Sequence, residues 1–469
     1  MRLLPVRLRA RRGDQRRESA QRLRESNVKW TMSLTNESQA LKVLKLAEIK
    51  SLGNKSKEIL VHLNKKIIDL KTSLENLGFP SNEIFKINKL INYYGGELRM
   101  IGGISRDLIL NAKNSKDLDF VTDLKIEKLI LCLKKKKIKF SKTGIKYGCV
   151  KIQMGKFCIE ITSLRREFDY DGRRPQIEYT KSWTEDSNRR DFTINAIYID
   201  FHGTIFDPHS GYDDLLKRKV RFIGDPNKRI IEDNLRILRF IRFSIRYGKK
   251  FEENDFFACV KNKKKIKSVS FERRYDELKK IVILKNFVFF LKQLNKHFFN
   301  EIFETKVFIN NFEKLDEVEN SMKMISSIRR FKFFFQKNLK EINFLKVFNN
   351  KDQKRINCKI DIKNYSSIAL KKMIFLYGKT ALVDQIIMDY TNCKIDSHEI
   401  ENIANFIKNC KIPKFPIDGN DIKSFGFKEG SEVGKILNYL KNIWIKENFL
   451  STKEDLIQKV KKLPSCLRR

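Results

Sequence analysis

The apolar residues of this chain change their spacing along its length. Between 33 and 78 they recur at helical intervals, with Ile59, Leu60, Leu63, Ile67 and Leu70 on one stripe, and predict two polar-rich helices. Gly78-Phe79-Pro80 breaks that pattern, and Asn82 is placed to cap a further helix to Tyr94. From Glu97 the period shortens. Leu98-Arg99-Met100-Ile101 and Leu118-Asp119-Phe120-Val121 read as short strands, with a helix start between them from Ser105 to Leu110. Ile126, Leu129, Ile130 and Leu133 mark a crossover helix ending in Lys134 to Lys137. Val150 to Met154 and Phe157 to Ile161 form a hairpin about Gly155-Lys156. Beyond Asp213 strand signals nearly vanish, and the remainder is helical, rich in Phe and Lys, with a division near 285. The pattern predicts an α+β chain in which a small mixed-sheet domain is followed by helices.

Composition adds a partner class. The chain has 469 residues and a net charge of +41, spread over most of its length. Such a field draws a polyanion, most simply nucleic acid, by steering and counterion release. A general lysine enrichment of the sequence accounts for part of that charge. The eight cysteines include no C-x-x-C pair and only five histidines accompany them. That argues against a structural zinc site and against a disulfide framework, and for reduced thiols in a cytosol-like compartment. No apolar run approaches the roughly 20 residues of a membrane span. Nine arginines precede the first lysine, Lys29, so residues 1–32 form an Arg-rich extension expected to be disordered. An organelle transit peptide has that bias, which would direct the chain to the mitochondrial matrix. Asp14, Glu18 and Glu25 dilute the signal, and the cytoplasm is the expected compartment.

Four short stretches carry chemistry. Asp117 and Asp119 are two apart on a predicted strand, so both carboxylates point to one face, where they repel unless a cation such as Mg²⁺ neutralises them. Phosphoryl transfer uses metals in that way, and Glu160 on the hairpin is a candidate third carboxylate. Gly102-Gly103, between a strand and a helix, lets backbone N–H groups approach a triphosphate, and Arg106 adds a fork of donors. Asp233 lies one turn before Arg236, Arg239 and Arg242, on a helix predicted from Glu232 to Arg246. In isolation these residues are equally an exposed ion-pair row. As a site, a carboxylate beside a guanidinium presents an acceptor next to donors. That arrangement suits the amino group and ring nitrogen of cytosine or adenine and clashes with guanine and uracil.

Taken together and in this order, these stretches resemble the class II nucleotidyltransferases, that is, the bacterial and mitochondrial CCA-adding enzymes and their close relatives the bacterial poly(A) polymerases. The resemblance runs from about 96 to 280. It rests on Gly102 to Asp119, Arg189-Arg190-Asp191-Phe192-Thr193-Ile194-Asn195-Ala196, Asp207 to Leu215, Glu232 to Arg236, and Glu272-Arg273-Arg274-Tyr275-Asp276-Glu277-Leu278. It implies a nucleotidyltransferase head followed by all-helical neck, body and tail: residues 33–80 a helical segment of unknown role, 81–215 the head, 216–285 the neck, and 286–469 a body and tail that bind tRNA. It implies that Asp117 and Asp119 hold Mg²⁺, that Gly102, Gly103 and Arg106 hold the triphosphate, and that Arg190 contacts the nucleotide. Asp233 and Arg236 would read the base, with Arg239 and Arg242 on base or phosphates. Glu167 to Pro175 stands where the family has a flexible loop that helps switch from CTP to ATP.

Three positions depart from the family pattern. Ser105 replaces a valine, Asn234 a proline in a helix expected to stay intact, and His209-Ser210 a Phe-Gly pair in the hinge. The implied activity is template-independent addition of C, C and A to the tRNA 3′ end from CTP and ATP. Thr143 to Val150, Glu160 to Arg165 and Gly203 to Asp207 resemble the CCA-adding group rather than the poly(A) enzymes. Poly(A) addition, a partial CC- or A-adding activity, and a catalytically dead tRNA-binding protein remain as alternatives.

Overall fold

The computed structural model describes residues 69–112, 117–168, 176–304, 307–336, 346–427 and 430–461. The predicted helices of 33–68, the Arg-rich extension and most of the loop at 167–175 lie outside the described residues. The described chain forms two compact units, one of residues 69–168 and 176–217 and one of residues 218–461.

The first unit opens with two helices, α1 (Leu70–Asn76) and α2 (Ser81–Tyr93). Asp69 caps α1 by accepting from the Thr72 N–H at 3.4 Å, as a short acceptor side chain does at this position. Then come β1 (Leu98–Met100), α3 (Gly103–Leu110), β2 (Asp117–Thr122), α4 (Ile126–Lys135), β3 (Cys149–Met154) and β4 (Phe157–Ser163). The predicted hairpin is present and its second strand runs two residues further. The unit continues with β5 (Arg165–Phe168), β6 (Gln176–Tyr179), α5 (Trp183–Asn188), β7 (Tyr198–Ile199), β8 (Ile205–Phe206) and α6 (Gly211–Leu216).

Six strands make one mixed sheet in the order β3-β4-β2-β1-β7-β8; β2 and β4 are parallel and the other neighbours antiparallel. The alternation of side chains across the pleat gives the sheet two unlike faces. Leu118, Phe120, Val150, Ile152, Ile159 and Ile161 are all buried on one face. Helix α2 covers that side, its Phe85 meeting Phe201, which stacks on Phe120. The opposite face carries Asp119, Lys151 and Glu160, which pair across β3, β4 and β2. A one-residue register slip would bury all three, so the hydrophobic pattern fixes the polar face.

The second unit has no strand among its described residues. Its neck portion contains α7 (Pro226–Glu232), α8 (Arg236–Tyr247), α9 (Glu253–Lys261) and α10 (Phe271–Val282). The helix expected from Glu232 to Arg246 therefore starts only at Arg236, Glu232 closing α7 and Asp233 lying between the two helices. Asp233 is extended (φ −150°, ψ 107°), and its carboxylate accepts the Leu235 N–H at 3.1 Å. Such a side-chain-to-backbone bond competes with helix and starts α8 afresh. Asn234 lies in this break, its amide donating to the Ser268 hydroxyl at 2.8 Å.

Beyond the neck, α11 (Phe287–His297), α12 (Phe299–Phe303), α13 (Phe312–Ser321) and α14 (Ser327–Phe335) bury Phe287, Phe303, Phe312 and Phe334 against one another. Of the short run from Phe287 to Leu291, Phe287, Phe290 and Leu291 are thus core, while Phe289 is exposed. Arg329 and Arg330 are also buried there, both paired with Glu319, and Arg329 also with Asp384. A last cluster gathers around Trp444, with Phe375, Phe415 and Phe449 in contact with its ring. No helix among the described residues is long and apolar enough to cross a membrane.

Candidate functional site

In the first unit the polar sheet face meets the diglycine turn. Gly102 has φ +69°, which strains any residue with a Cβ, and it precedes α3 directly. A Cβ built on Gly102 would stand 3.1 Å from Oδ2 of Asp119. The bare glycine therefore keeps its backbone open beside that carboxylate. Asp117 heads β2 with its Cα paired to Cys158; its side chain lies outside the described residues. Glu160 is the register partner of Asp119, and Lys151 binds its carboxylate at 2.8 Å.

Arg106 is 6% exposed and turned toward the chain itself. It donates to the Ile194 carbonyl at 3.3 Å and to the side-chain oxygen of Asn195. Asn195 donates in turn to Asp191 at 2.7 Å. The stretch from Arg189 to Ala196 is thereby tied to the helix that follows the diglycine turn. Ser105, at the position where the resemblance implies a valine, is fully buried. The Thr193 hydroxyl donates to Asp214 at 2.7 Å. Asp207 accepts the Gly211 and Tyr212 N–H groups at 2.8 and 3.0 Å, holding the start of α6. In the departing hinge pair, Ser210 takes a left-handed φ of +57° and His209 bonds the Ser187 hydroxyl at 2.9 Å.

Asp186 does not stand out in the sequence. It is fully buried, and Arg189 and Arg190 bind its two oxygens at 2.8 and 2.9 Å. The Tyr198 hydroxyl donates to it at 2.8 Å, and Arg190 donates to that hydroxyl at 3.1 Å. Burial pushes the Asp186 carboxyl up, but the two guanidinium groups and the tyrosine outweigh it and leave it well below the usual carboxylate range. Arg190, expected at the nucleotide, is thus held rigidly by its own unit.

In the second unit Asp233 and Arg236 share one turn, the Arg236 N–H donating to the Asp233 carbonyl at 2.9 Å. Their charged ends have separate partners. Arg273 grips both oxygens of Asp233, at 2.9 and 3.1 Å. Arg236 donates to the Arg229 carbonyl at 2.8 Å and pairs with Glu232. Arg242 binds Glu277 at 2.5 Å and lies over the Phe243 ring, as does Arg239. Burial pushes Glu277 up, yet Arg242 and then Arg239 bring its net shift below the ordinary glutamate value. Arg273 and Glu277 both come from α10, so the stretch Glu272 to Leu278 braces the residues expected to read the base.

No group of three or more His, Cys, Asp or Glu among the described residues forms a cation cage. The oxygen of Asp119 beside an open glycine backbone suits a small divalent cation that takes its other ligands from phosphate and water.

A mixed-sheet head with an acidic strand beside a diglycine turn, followed among the described residues only by helices, is the arrangement of a nucleotidyltransferase. The poly A polymerase head domain model matches residues 98–221. The human mitochondrial CCA tRNA nucleotidyltransferase 1 is 31% identical over 392 residues, 78% of this chain and 87% of that protein. The CCA-adding enzyme of Ligilactobacillus salivarius is 29% identical over 413 residues, 83% and 98% of the two chains. Among solved structures, the Bacillus stearothermophilus CCA-adding enzyme in complex with CTP shares the fold, with a TM-score of 0.65 at 21% identity over 82% of this chain and 97% of that one. The chain belongs to the CCA tRNA nucleotidyltransferase family, whose transfer chemistry uses divalent metal ions.

Proposed function

We propose that this protein adds C, C and A to the 3′ end of tRNA, taking CTP and ATP and releasing pyrophosphate. The observation that carries the reading is the match to CCA-adding enzymes over nearly their whole length, including both the head and the helices after it.

Asp117 and Asp119 would hold Mg²⁺, which when bound neutralises the triphosphate and the developing charge at the attacked phosphorus. Gly102 and Gly103 let the triphosphate approach the start of α3. Arg106 acts by holding Asn195 and the Ile194 carbonyl in place rather than by reaching outward. Glu160, bonded to Lys151, contributes charge to the same face. Arg190, fixed by Asp186 and Tyr198, borders the nucleotide.

Base choice follows from counting hydrogen-bond positions. A carboxylate offers about four acceptor sites. Three on Asp233 are taken by Leu235 and Arg273, which leaves Oδ2 one position to accept an amino group. Nη1 of Arg236 is engaged by Arg229 and Glu232, which leaves Nε and Nη2 to donate to a ring nitrogen. Cytosine and adenine satisfy both; guanine and uracil satisfy neither. Because the braces are protein groups, the reading surface is set before a nucleotide arrives. Arg239 and Arg242 supply positive charge along α8.

The test is incubation with Mg²⁺ and tRNA lacking its 3′ end, with CTP, ATP or both. Two C followed by one A is the expected product. Unlimited A on any RNA would make the chain a poly(A) polymerase, C alone or A alone a partial enzyme, and no incorporation a tRNA-binding protein.

A further inference from the structure

On the covered side of the head's sheet, away from Asp119, a groove of about 660 Å³ opens between α2, the end of α4 and the edge strand β3. Its apolar floor is Ile87, Leu90 and Met154. Its rim is Lys86, Lys89, Lys135 and Lys136 with Tyr93 and Tyr94, against a single acid, Glu83. Helix dipole compensation explains Lys135 at the end of α4. It does not explain Lys86, Lys89 or Tyr93 on α2.

Tyr93 is the unusual residue. It is 80% exposed, although α2 has a buried stripe of Ile84, Ile87 and Ile91 on which an aromatic would normally be placed. Its ring meets Tyr94 edge-on at 5.2 Å, which fixes its plane and leaves a face outward. Lys135 lies 5.8 Å from the Tyr94 ring centroid. An outward aromatic face ringed by flexible ammonium groups is the chemistry that holds unpaired nucleotides, a base stacking on the ring and phosphates meeting the lysines. The rim carries four cations and one anion, so the complementary occupant is a polyanion.

We propose that this groove binds a single-stranded stretch of RNA, so that the head grips an RNA on the side of the sheet opposite its acidic face. The proposal rests on the reading of the chain as an RNA-processing enzyme, but it requires no nucleotide addition. An unpaired segment fits better than a duplex, because only an unstacked base exposes a face to Tyr93.

The test uses the full-length protein and a short labelled oligouridylate, followed by fluorescence anisotropy. Tyr93→Ala should weaken binding about tenfold, and Tyr93→Phe should retain it. Lys86→Ala combined with Lys89→Ala should weaken binding and lower the salt slope by roughly one. A photoreactive uridine in the oligonucleotide should crosslink to the peptide containing Tyr93 and Tyr94. Unchanged affinity in Tyr93→Ala overturns the proposal, as does equal loss of a duplex RNA probe. Displacement of the oligonucleotide by CTP together with loss of CTP binding in Tyr93→Ala also overturns it, making the groove a mononucleotide site. Circular dichroism and incorporation on tRNA show whether the Tyr93 variants remain folded. If no nucleotide is added to tRNA while Tyr93-dependent binding persists, the proposed function falls and the groove stands.

Discussion

Arg273 holds both carboxylate oxygens of Asp233 across forty positions of sequence, at 2.9 and 3.1 Å. Both contacts come from one nitrogen, Nη2, which bridges the two oxygens and fixes the position of the carboxylate head by a charge-assisted contact. Arg273 is therefore expected to act on base choice without touching the base. Arg273→Ala should raise incorporation of UTP and GTP relative to CTP and ATP, and lower kcat/KM for the correct nucleotides about tenfold, near 1.4 kcal/mol. Arg273→Lys should fall between the two. The measurement is single-turnover incorporation with each nucleotide separately, and unchanged discrimination in Arg273→Ala would refute the bracing role.

Asp119 stands beside the open backbone of Gly102, the feature on which the metal reading depends. Asp119→Ala should reduce incorporation by on the order of a thousandfold or more, as loss of a metal-holding carboxylate does. Affinity for tRNA, measured by filter binding in the presence of chelator, should change little. A parallel loss of affinity would indicate that Asp119 supports RNA binding or folding instead. Gly102→Ala probes the same place from the other side, since a Cβ there meets both a strained φ and the carboxylate.

Gly211 packs where no side chain fits: a Cβ would lie 2.0 Å from the Thr193 carbonyl oxygen. The contact joins the Arg189 to Ala196 stretch to α6, beside the Thr193–Asp214 bond. Gly211→Ala should destabilise the protein by about 2 kcal/mol through overpacking. Thr193→Val, which removes only the hydroxyl's bond to Asp214, should be milder. Urea unfolding midpoints for the two variants give the comparison, and a neutral Gly211→Ala would show that the segment yields easily.

These cases show which parts of the fold and site were readable from residues alone. Gly102-Gly103 and Asp117-x-Asp119 stand out in the sequence because the chemistry proposed for them needs particular residue types at fixed local spacing. The grip of Arg273 on Asp233 joins two helices, and nothing local to either stretch announces the other. The break at Asp233 was hidden because Ile230, Ile231, Leu235, Ile237 and Leu238 continue an apolar helical rhythm straight through it. Strands β5 and β6 were missed because Arg165-Arg166-Glu167-Phe168 and Gln176-Ile177-Glu178-Tyr179 are polar and only half buried, pairing outside the main sheet. Asp186 lies in the polar run Ser182 to Asn188, where only the fold reveals that this acid alone is fully buried.

Asp186 and Asp255 are both buried, and their environments push them in opposite directions. Asp186 is lowered by Arg189, Arg190 and Tyr198 against the effect of burial. A lowered carboxylate contributes stability that is fully present above its unfolded pKa near 4 and is lost as pH falls below it. Asp255, on α9, is raised to about 6: burial dominates, and the Phe222 N–H at 3.0 Å and Arg221 offset only part of it. Between about pH 4 and 6 the folded state retains a proton there that the unfolded chain has released. Stability from this group therefore declines as pH rises through that window and is level above it. Asp255→Asn keeps an acceptor for the Phe222 N–H and removes the titration. The variant should gain roughly 3 kcal/mol over the wild type at pH 7 and little at pH 4. Asp186→Asn leaves two arginines short of their counter-charge and should lose about 3 kcal/mol at pH 7, with the deficit shrinking in acid. Thermal unfolding of the three proteins from pH 2 to 7 measures both slopes, the Asp186 slope below about pH 4 and the Asp255 slope above it, and slopes of the same sign would contradict the opposite environments described for the two acids.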